Sequence, residues 1–334
     1  MAPRSGAGLR DASHTERVLH TTWHAITVFF NHLAEVHWQW LGLAVACHLC
    51  KLLAVSRAWR NIVKASYRDR HVRWRQLFGA YVAGTGVNAL IPARGGDAVK
   101  LFIAKRRVEG STYTTLVFTV LLQTVFDMVV AGCFILWAIT LGVLPGLHVL
   151  PDLPSLDYGW AFRHPRAGLI LFVLLLLFGG LLLAWIVERV EDFQARAAQG
   201  FAALSDRSYY LTRVIPFQVL DWTLRITTVF FFLRAFQIPA TLHNALLVQV
   251  SQSLATVFPF SPAGIGTEQA LLIYIFSKTH AASKSALLSF SVGMRVTLII
   301  VNAALGFAAI LVMLKTLRFR DAIETDSGAQ PEQT

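Results

Sequence analysis

The sequence predicts an all-α, polytopic integral membrane protein with about six spanning helices and two re-entrant helical hairpins in an inverted repeat. Three observations carry that expectation. Hydrophobic residues make up 55% of the 334 and charged residues only 15%, against roughly a quarter charged in ordinary globular chains. The apolar residues fall in long blocks: Leu169–Val187 has no charge, Thr114–Leu144 only Asp127, and Ser285–Leu314 only Arg295. Two further apolar segments are interrupted by Pro/Gly-rich turns that resemble one another. A hydrocarbon slab of roughly 30 Å requires about 20 apolar residues of a helix, and these blocks supply them. A polar tail at 1–17 and another at 315–334 flank the membrane domain at 18–314.

The net charge of +11 is not read as a nucleic-acid footprint. The basic residues sit beside apolar blocks, as they do when they set membrane orientation. The N-terminus lacks the basic region, apolar core and small-residue cleavage site of a signal peptide. Three cysteines make no disulfide framework, and the C-x-x-C of Cys47 and Cys50 lies inside a membrane helix, where packing is the expected role.

Charge then orders the elements. Trp38–Val55 runs inward, and Arg57–Gln76, with seven Lys/Arg against one acid, is cytoplasmic. The block Leu77–Ala93 is followed by a second basic cluster at Lys100, Lys105, Arg106 and Arg107. A full crossing would put that cluster outside. A hairpin that turns near Pro92–Gly96 and returns removes the conflict, provided that its turn is buried in protein or lines a cavity. Thr114–Leu144 then runs out, Pro145–Pro165 lies outside, Ala167–Val187 returns, and Glu188–Arg213 is an amphipathic cytoplasmic connector. Val214–Phe236 runs out, Leu242–Phe276 forms a second hairpin broken at Pro259–Gly266, and Ser285–Leu314 returns to leave the C-terminus inside. On this scheme nineteen of thirty Lys/Arg lie inside. Val18–Ala34 either spans or lies at the interface. His20 and His24 within it have an i,i+4 spacing but no third ligand, so no metal site is expected.

The hairpin turns read Pro92-Ala-Arg-Gly-Gly-Asp97 and Pro262-Ala-Gly-Ile-Gly-Thr-Glu268. Each ends in a carboxylate that opens a helix, and a span with one lone charge follows: Asp127 after the first, Arg295 after the second. The units, 18–144 and 167–314, face in opposite directions by charge, as in inverted-topology transporters whose interrupted segments meet at a midplane site. A helix that begins near the midplane presents unpaired N–H groups and a positive dipole end, which is an anion site. Asp97 and Glu268 stabilise such ends, but Arg94 is not explained that way. Arg94 and Lys100 point instead to a phosphate-bearing ligand. Asp221 and Arg225 are i,i+4 and should pair within their helix. Asp127 and Arg295 have no local partner, and intramembrane ionisable groups of this kind mark a pathway.

These residues resemble the flippase-like transmembrane region of lysylphosphatidylglycerol synthetases and its stand-alone homologues. A first family motif, roughly N-x-x-x-P-x-R-x-G-E-x-x-R, is matched by Asn88, Pro92, Arg94, Gly96, Asp97 and Lys100, with Asp for Glu and Lys for Arg. A second, roughly P-x-S-P-G-G-x-G-x-x-E, is matched by Pro259, Ser261, Pro262, Gly264, Gly266 and Glu268, with Ala263 for a glycine. Arg57-Ala-Trp-Arg60 is similar to the family's basic-aromatic exit from an early span, and Arg295 to an arginine of its last span. Where the family often has Glu-Arg-x-x-Asp, this chain has Gln123-Thr-Val-Phe-Asp127 and keeps only the aspartate.

The resemblance implies flipping of an anionic lipid, phospholipid or polyprenyl-phosphate sugar across the cytoplasmic membrane. Its expected substrate-binding residues are Asn88, Pro92, Arg94, Gly96, Asp97, Lys100, Pro262, Gly264, Gly266, Glu268 and Arg295. Asp97, Asp127 and Glu268 are the coupling candidates. No catalytic residue, metal or cofactor is expected, the partners are membrane lipids rather than nucleic acid, and a homo-oligomer is compatible with the sequence. Two alternatives remain open: a membrane transferase acting on a lipid head group, and a transporter of a small soluble anion. Against the transferase, the family's aminoacyl transfer belongs to a soluble C-terminal domain, and only twenty residues follow Leu314.

Overall fold

The computed structural model describes residues 36–91, 95–142, 173–174, 177–181, 191–257, 267–279 and 282–327. Among them every regular element is helical: α1 (Trp38–Ser66), α2 (Trp74–Leu90), α3 (Gly95–Arg107), α4 (Tyr113–Thr140), α5 (Glu191–Gly200), α6 (Ala202–Ser205), α7 (Arg207–Tyr209), a π-helical turn (Tyr210–Val214), α8 (Ile215–Ala235), α9 (Leu242–Val257), α10 (Thr267–Thr279) and α11 (Lys284–Ser327). The expected span at Val18–Ala34, most of Ala167–Val187 and the turns at 92–94 and 258–266 lie outside the described residues.

Among the described residues three helices are long and apolar enough to cross a bilayer: α1, α4 and the Lys284–Met313 part of α11. Their outward faces are apolar, with Val125, Met128 and Val129 of α4 and Ile300, Phe307 and Leu311 of α11 all exposed, as a lipid solvent requires. α8 has 21 residues but carries Asp221, Arg225 and Arg234. α2, α3, α9 and α10 have 17, 13, 16 and 13 residues, fewer than the roughly 20 of a typical span. α1 runs beyond Val55 to Ser66 because no glycine or proline interrupts the chain between Gly42 and Gly79. The N-terminus of α4 is capped by Thr112, whose hydroxyl accepts from the Thr115 N–H at 3.2 Å. α3 has Asp97 in its first turn and Lys105, Arg106 and Arg107 in its last, the charge order that its dipole favours.

α1 and α8 lie antiparallel along one another. The His37 N–H donates to the Ala235 carbonyl at one end. At the other, Asn61 Nδ2 donates to the Arg213 carbonyl and the Tyr209 hydroxyl donates to the Asn61 carbonyl. Two apolar cores flank this seam. One gathers Trp59, Val63, Leu77, Ala83, Ile103 and Leu116 from α1–α4. The other gathers Phe232, Leu247, Leu272, Phe276, Leu287 and Phe290 from α8–α11. Several helix pairings within α1–α4 recur within α8–α11, although their extents differ. α2 packs on α3 as α9 packs on α10; α3 meets α4 as α10 meets α11; α1 meets α2 and α4 as α8 meets α9 and α11; α2 meets α11 as α9 meets α4.

The basic clusters collect at one end of the bundle. Arg60 Nε donates to the Val72 carbonyl, the Thr112 N–H to the Tyr67 hydroxyl, and Arg107 Nη2 to the Met313 carbonyl. The start of α2 and the end of α3 therefore share an end, so Lys105–Arg107 lie on the same side as Arg57–Arg75. The opposite end holds Trp137 against His243 and Phe236 against Phe290.

The α2–α11 crossing is a backbone contact. A Cβ on either Gly86 or Gly306 would fall 2.5 Å from the other's Cα, and small residues are what let membrane helices approach so closely. Gly306→Ile should lower the unfolding midpoint by at least ~3 °C, which corresponds to about 1 kcal/mol or more. Gly132→Ala, at a position with nothing within 4 Å, should not lower it. Heated samples scored for monodispersity in detergent give both values.

Candidate functional site: two half-sites and a charged seam

The first half-site is built on the α2–α3 pair. Gly96 has no room for a side chain, because a Cβ there would overlap the Gly84 carbonyl and the Asn88 amide. That closeness lets the Gly96 N–H, an otherwise unpaired donor of the first turn, donate to Asn88 Oδ1 at 2.8 Å. Asn88 Nδ2 reaches Asp97 Oδ1 at 3.5 Å, and Lys100 Nζ lies 3.6 Å from the same oxygen. Lys100 is 6% exposed, with its ammonium 5.1 Å from the Trp59 ring and 5.0 Å from the Tyr81 ring. The lysine is thus enclosed by aromatic faces that stabilise a desolvated cation, with Asp97 beside it. The sequence-predicted Pro92 and Arg94 lie outside the described residues, so the structure brings together Asn88, Gly96, Asp97 and Lys100 of that motif.

The second half-site is built on α9, α10 and α11. Glu268, in the first turn of α10, accepts from Arg295 Nη1 at 2.7 Å and from Gln252 Nε2 at 3.2 Å. Arg295, locally unpartnered in sequence, finds its carboxylate 27 residues away. Pro262, Gly264 and Gly266 lie outside the described residues. Each half-site therefore opens a helix with a carboxylate and holds a cation against it.

Between them runs a charged seam on α1, α4, α8 and α11. Arg225 Nη2 meets Asp221 Oδ2 at 3.2 Å, as the i,i+4 spacing predicts, and the guanidinium lies 4.3 Å from the Trp222 ring. Trp222 Nε1 donates to Asp127 Oδ1 at 2.9 Å, so Asp127 too has a tertiary partner. His48 Nε2 and Asn302 Oδ1 are 2.8 Å apart. Asp221 Oδ1, Arg225 Nε and both amide atoms of Gln218 are buried with no hydrogen-bond partner. Such groups cost about 1–3 kcal/mol each when left dry, so this seam is a polar interior between the two apolar cores. Gln252, Trp222, Gln218, His48, Asn302 and the two aromatic rings over Lys100 escaped the sequence reading. Only Gln218 carried a signal, standing three residues before Asp221 on one helix face.

Cys47 is partly buried and Cys50 exposed, both as free thiols. Among the described residues no group of three His, Cys, Asp or Glu is placed to hold a metal ion.

A protein-family model for the transmembrane region of lysylphosphatidylglycerol synthase matches residues 22–306. A curated relative, a UPF0104 membrane protein of Methanocaldococcus jannaschii, is 24% identical over 198 residues, covering 57% of this chain and 78% of its own. No solved structure matches the chain.

The Glu268–Arg295 pair gives a test of site against scaffold. Removing one partner of a buried ion pair leaves an uncompensated charge and costs roughly 3–5 kcal/mol. Arg295→Gln and Glu268→Gln should each lower thermal stability, whereas the double variant should recover most of it, as read from melting curves of the purified protein. Recovery of stability without recovery of ligand binding would assign the pair to the site.

Proposed function

This chain belongs to the lysylphosphatidylglycerol synthase transmembrane-region family, and on that premise we propose that it translocates an anionic lipid across the cytoplasmic membrane. The cargo is a phospholipid or a polyprenyl-phosphate-linked sugar, taken up at a site near the midplane and released by alternating access. The observation that carries this reading is the matched pair of half-sites on helix sets that pack in the same pattern. Asp97 opens α3 beside Lys100, and Glu268 opens α10 beside Arg295.

On this reading α2–α3 and α9–α10 are re-entrant hairpins, entered from opposite faces, and the two helix sets are an inverted repeat. The short lengths of those four helices and the antiparallel course of α1 along α8 support that view. Val18–Ala34 and Ala167–Val187 would complete six spans. The end that gathers the basic clusters would be cytoplasmic by the charge rule, and the C-terminus would lie there. Helices that begin inside the slab direct their free N–H groups toward a phosphate, and Arg94 would add a guanidinium able to grip it through two hydrogen bonds. The transporter reading is preferred to a membrane transferase because the interior carboxylates are each held by a cation or an indole.

Two experiments test these proposals. Cysteines placed at Asp69 and Ser205 should be labelled from the cytoplasm only, and one at Leu156 from outside only. A cysteine at Lys105 labelled together with Leu156 would remove the hairpin.

For activity, the protein is reconstituted into liposomes with fluorescent phospholipids or polyprenyl-phosphate sugars, and leaflet exchange is scored. Arg94→Lys should keep part of the exchange. Arg94→Gln should lose most of it while inserting normally, because the amide keeps neither the charge, which a lysine ammonium retains, nor the bidentate fork. Asp127→Asn should weaken any response to a pH gradient. No exchange of any anionic lipid by the intact protein would refute the reading.

A further inference from the structure

The basic end of the bundle holds a cleft that the half-sites do not involve. It is an open groove of about 430 Å³ between the end of α1 and the start of α2, and its lining includes Arg57, Arg60, His71, Arg73, Trp74 and Arg75. None of its four arginines has a carboxylate within 4 Å among the described residues. Local bonds hold its shape: Arg60 Nε donates to the Val72 carbonyl at 3.1 Å, Trp74 Nε1 donates to Ser56 Oγ at 3.2 Å, and the Arg57 guanidinium lies 5.6 Å from the Trp74 ring.

The cleft also opens on the N-terminus of α2. Arg73 precedes that helix without a side-chain cap, and its first turn carries no acid. Arginines around a positive dipole end repel it and one another. The charge rule explains why basic residues stand at this end, but not why four of them converge on one concave, acid-free surface. A bound anion resolves both repulsions.

The surface beneath the cleft identifies the anion's source. Leu49, Leu53, Arg57 and Arg60 follow one another at helical spacings of four, four and three, so they share a stripe on α1. Leu49 and Leu53 are 37% and 40% exposed. The stripe passes from exposed leucines, suited to acyl chains, to arginines suited to a phosphate. Basic pockets between membrane helices at the cytoplasmic side are suited to lipid head groups. We propose that the Arg57–Arg73–Arg75 cleft binds the phosphodiester head group of an anionic phospholipid from the adjoining leaflet, with the acyl chains along the Leu49–Leu53 stripe. This site is distinct from the interior one and does not depend on translocation.

The test uses the full chain purified in zwitterionic detergent. Phosphatidylglycerol is titrated while bound lipid is counted by native mass spectrometry. Arg57→Gln, Arg73→Gln and Arg75→Gln are combined, and Arg60 is left intact because its bond to Val72 shapes the loop. Each basic group near an anionic surface is worth a factor of about five, so the triple variant should bind roughly 100-fold more weakly. A charge-matched control, Lys105→Gln, Arg106→Gln and Arg207→Gln, removes three exposed cations from the same end and should bind as the intact chain does. Equal loss in the control would assign the binding to the general surface field and overturn the proposal. So would displacement of the lipid by an equal concentration of inorganic phosphate, which would make the cleft a site for a soluble anion. If the triple variant is unstable, Leu53→Gln, which adds no charge, keeps the proposal testable: it should weaken binding of the lipid but not of a soluble glycerophosphate, and unchanged lipid binding would reject the acyl stripe.

Discussion

The antiparallel seam between α1 and α8 positions every other helix. Both are fastened at both ends through backbone carbonyls, at Ala235 and at Arg213 with Asn61, so neither can slide without breaking those bonds. α2 and α4 pack on α1; α9 and α11 pack on α8. A seam of this kind also confines polar residues. The far faces of α4 and α11 are apolar and exposed, while Asp221, Gln218 and His48 face inward, where they are almost wholly buried. Burial among apolar helices would be costly for these groups if the interior were dry.

The half-sites share a logic but not a chemistry. Asp97 is met by a lysine whose charge is spread over two aromatic faces, whereas Glu268 is met directly by a guanidinium and supported by an amide. The first arrangement leaves its carboxylate partly exposed, with 39% of the side chain open, against 10% for Glu268. An anion that approached Lys100 would compete with a carboxylate 3.6 Å away. At Glu268 it would have to break a short, charge-assisted bond. The two carboxylates are therefore not interchangeable, although each opens its helix in the same way.

Much of this was legible in the sequence, and what was missed has a physical reason. The apolar blocks located α1, α4 and α11, because span length is fixed by the thickness of the slab. The basic clusters foretold that α2 begins and α3 ends on one side. The Asp221–Arg225 pair followed from spacing alone. The partners of Asp127 and Arg295 did not, since an indole 95 residues away and a carboxylate 27 residues away leave no periodic trace. The rings over Lys100, those of Trp59 and Tyr81, left no trace in the sequence either, because which rings surround a side chain is decided by tertiary packing. The span Trp38–Val55 lies within a helix that continues to Ser66, since hydropathy marks the apolar part of a helix and not its last turn.

The crossings of α2 with α11 and of α4 with α9 occupy equivalent places, but they are made of different material. The first brings Gly86 and Gly306 into backbone contact. The second is filled by Ala138, Val250, Leu254 and Ala255 with Phe134 and Ile135 around them. A flat glycine contact resists shear weakly, whereas interlocked side chains must climb over one another. The first joint is therefore the more compliant of the two, and the two helix sets are alike in order but unlike in stiffness.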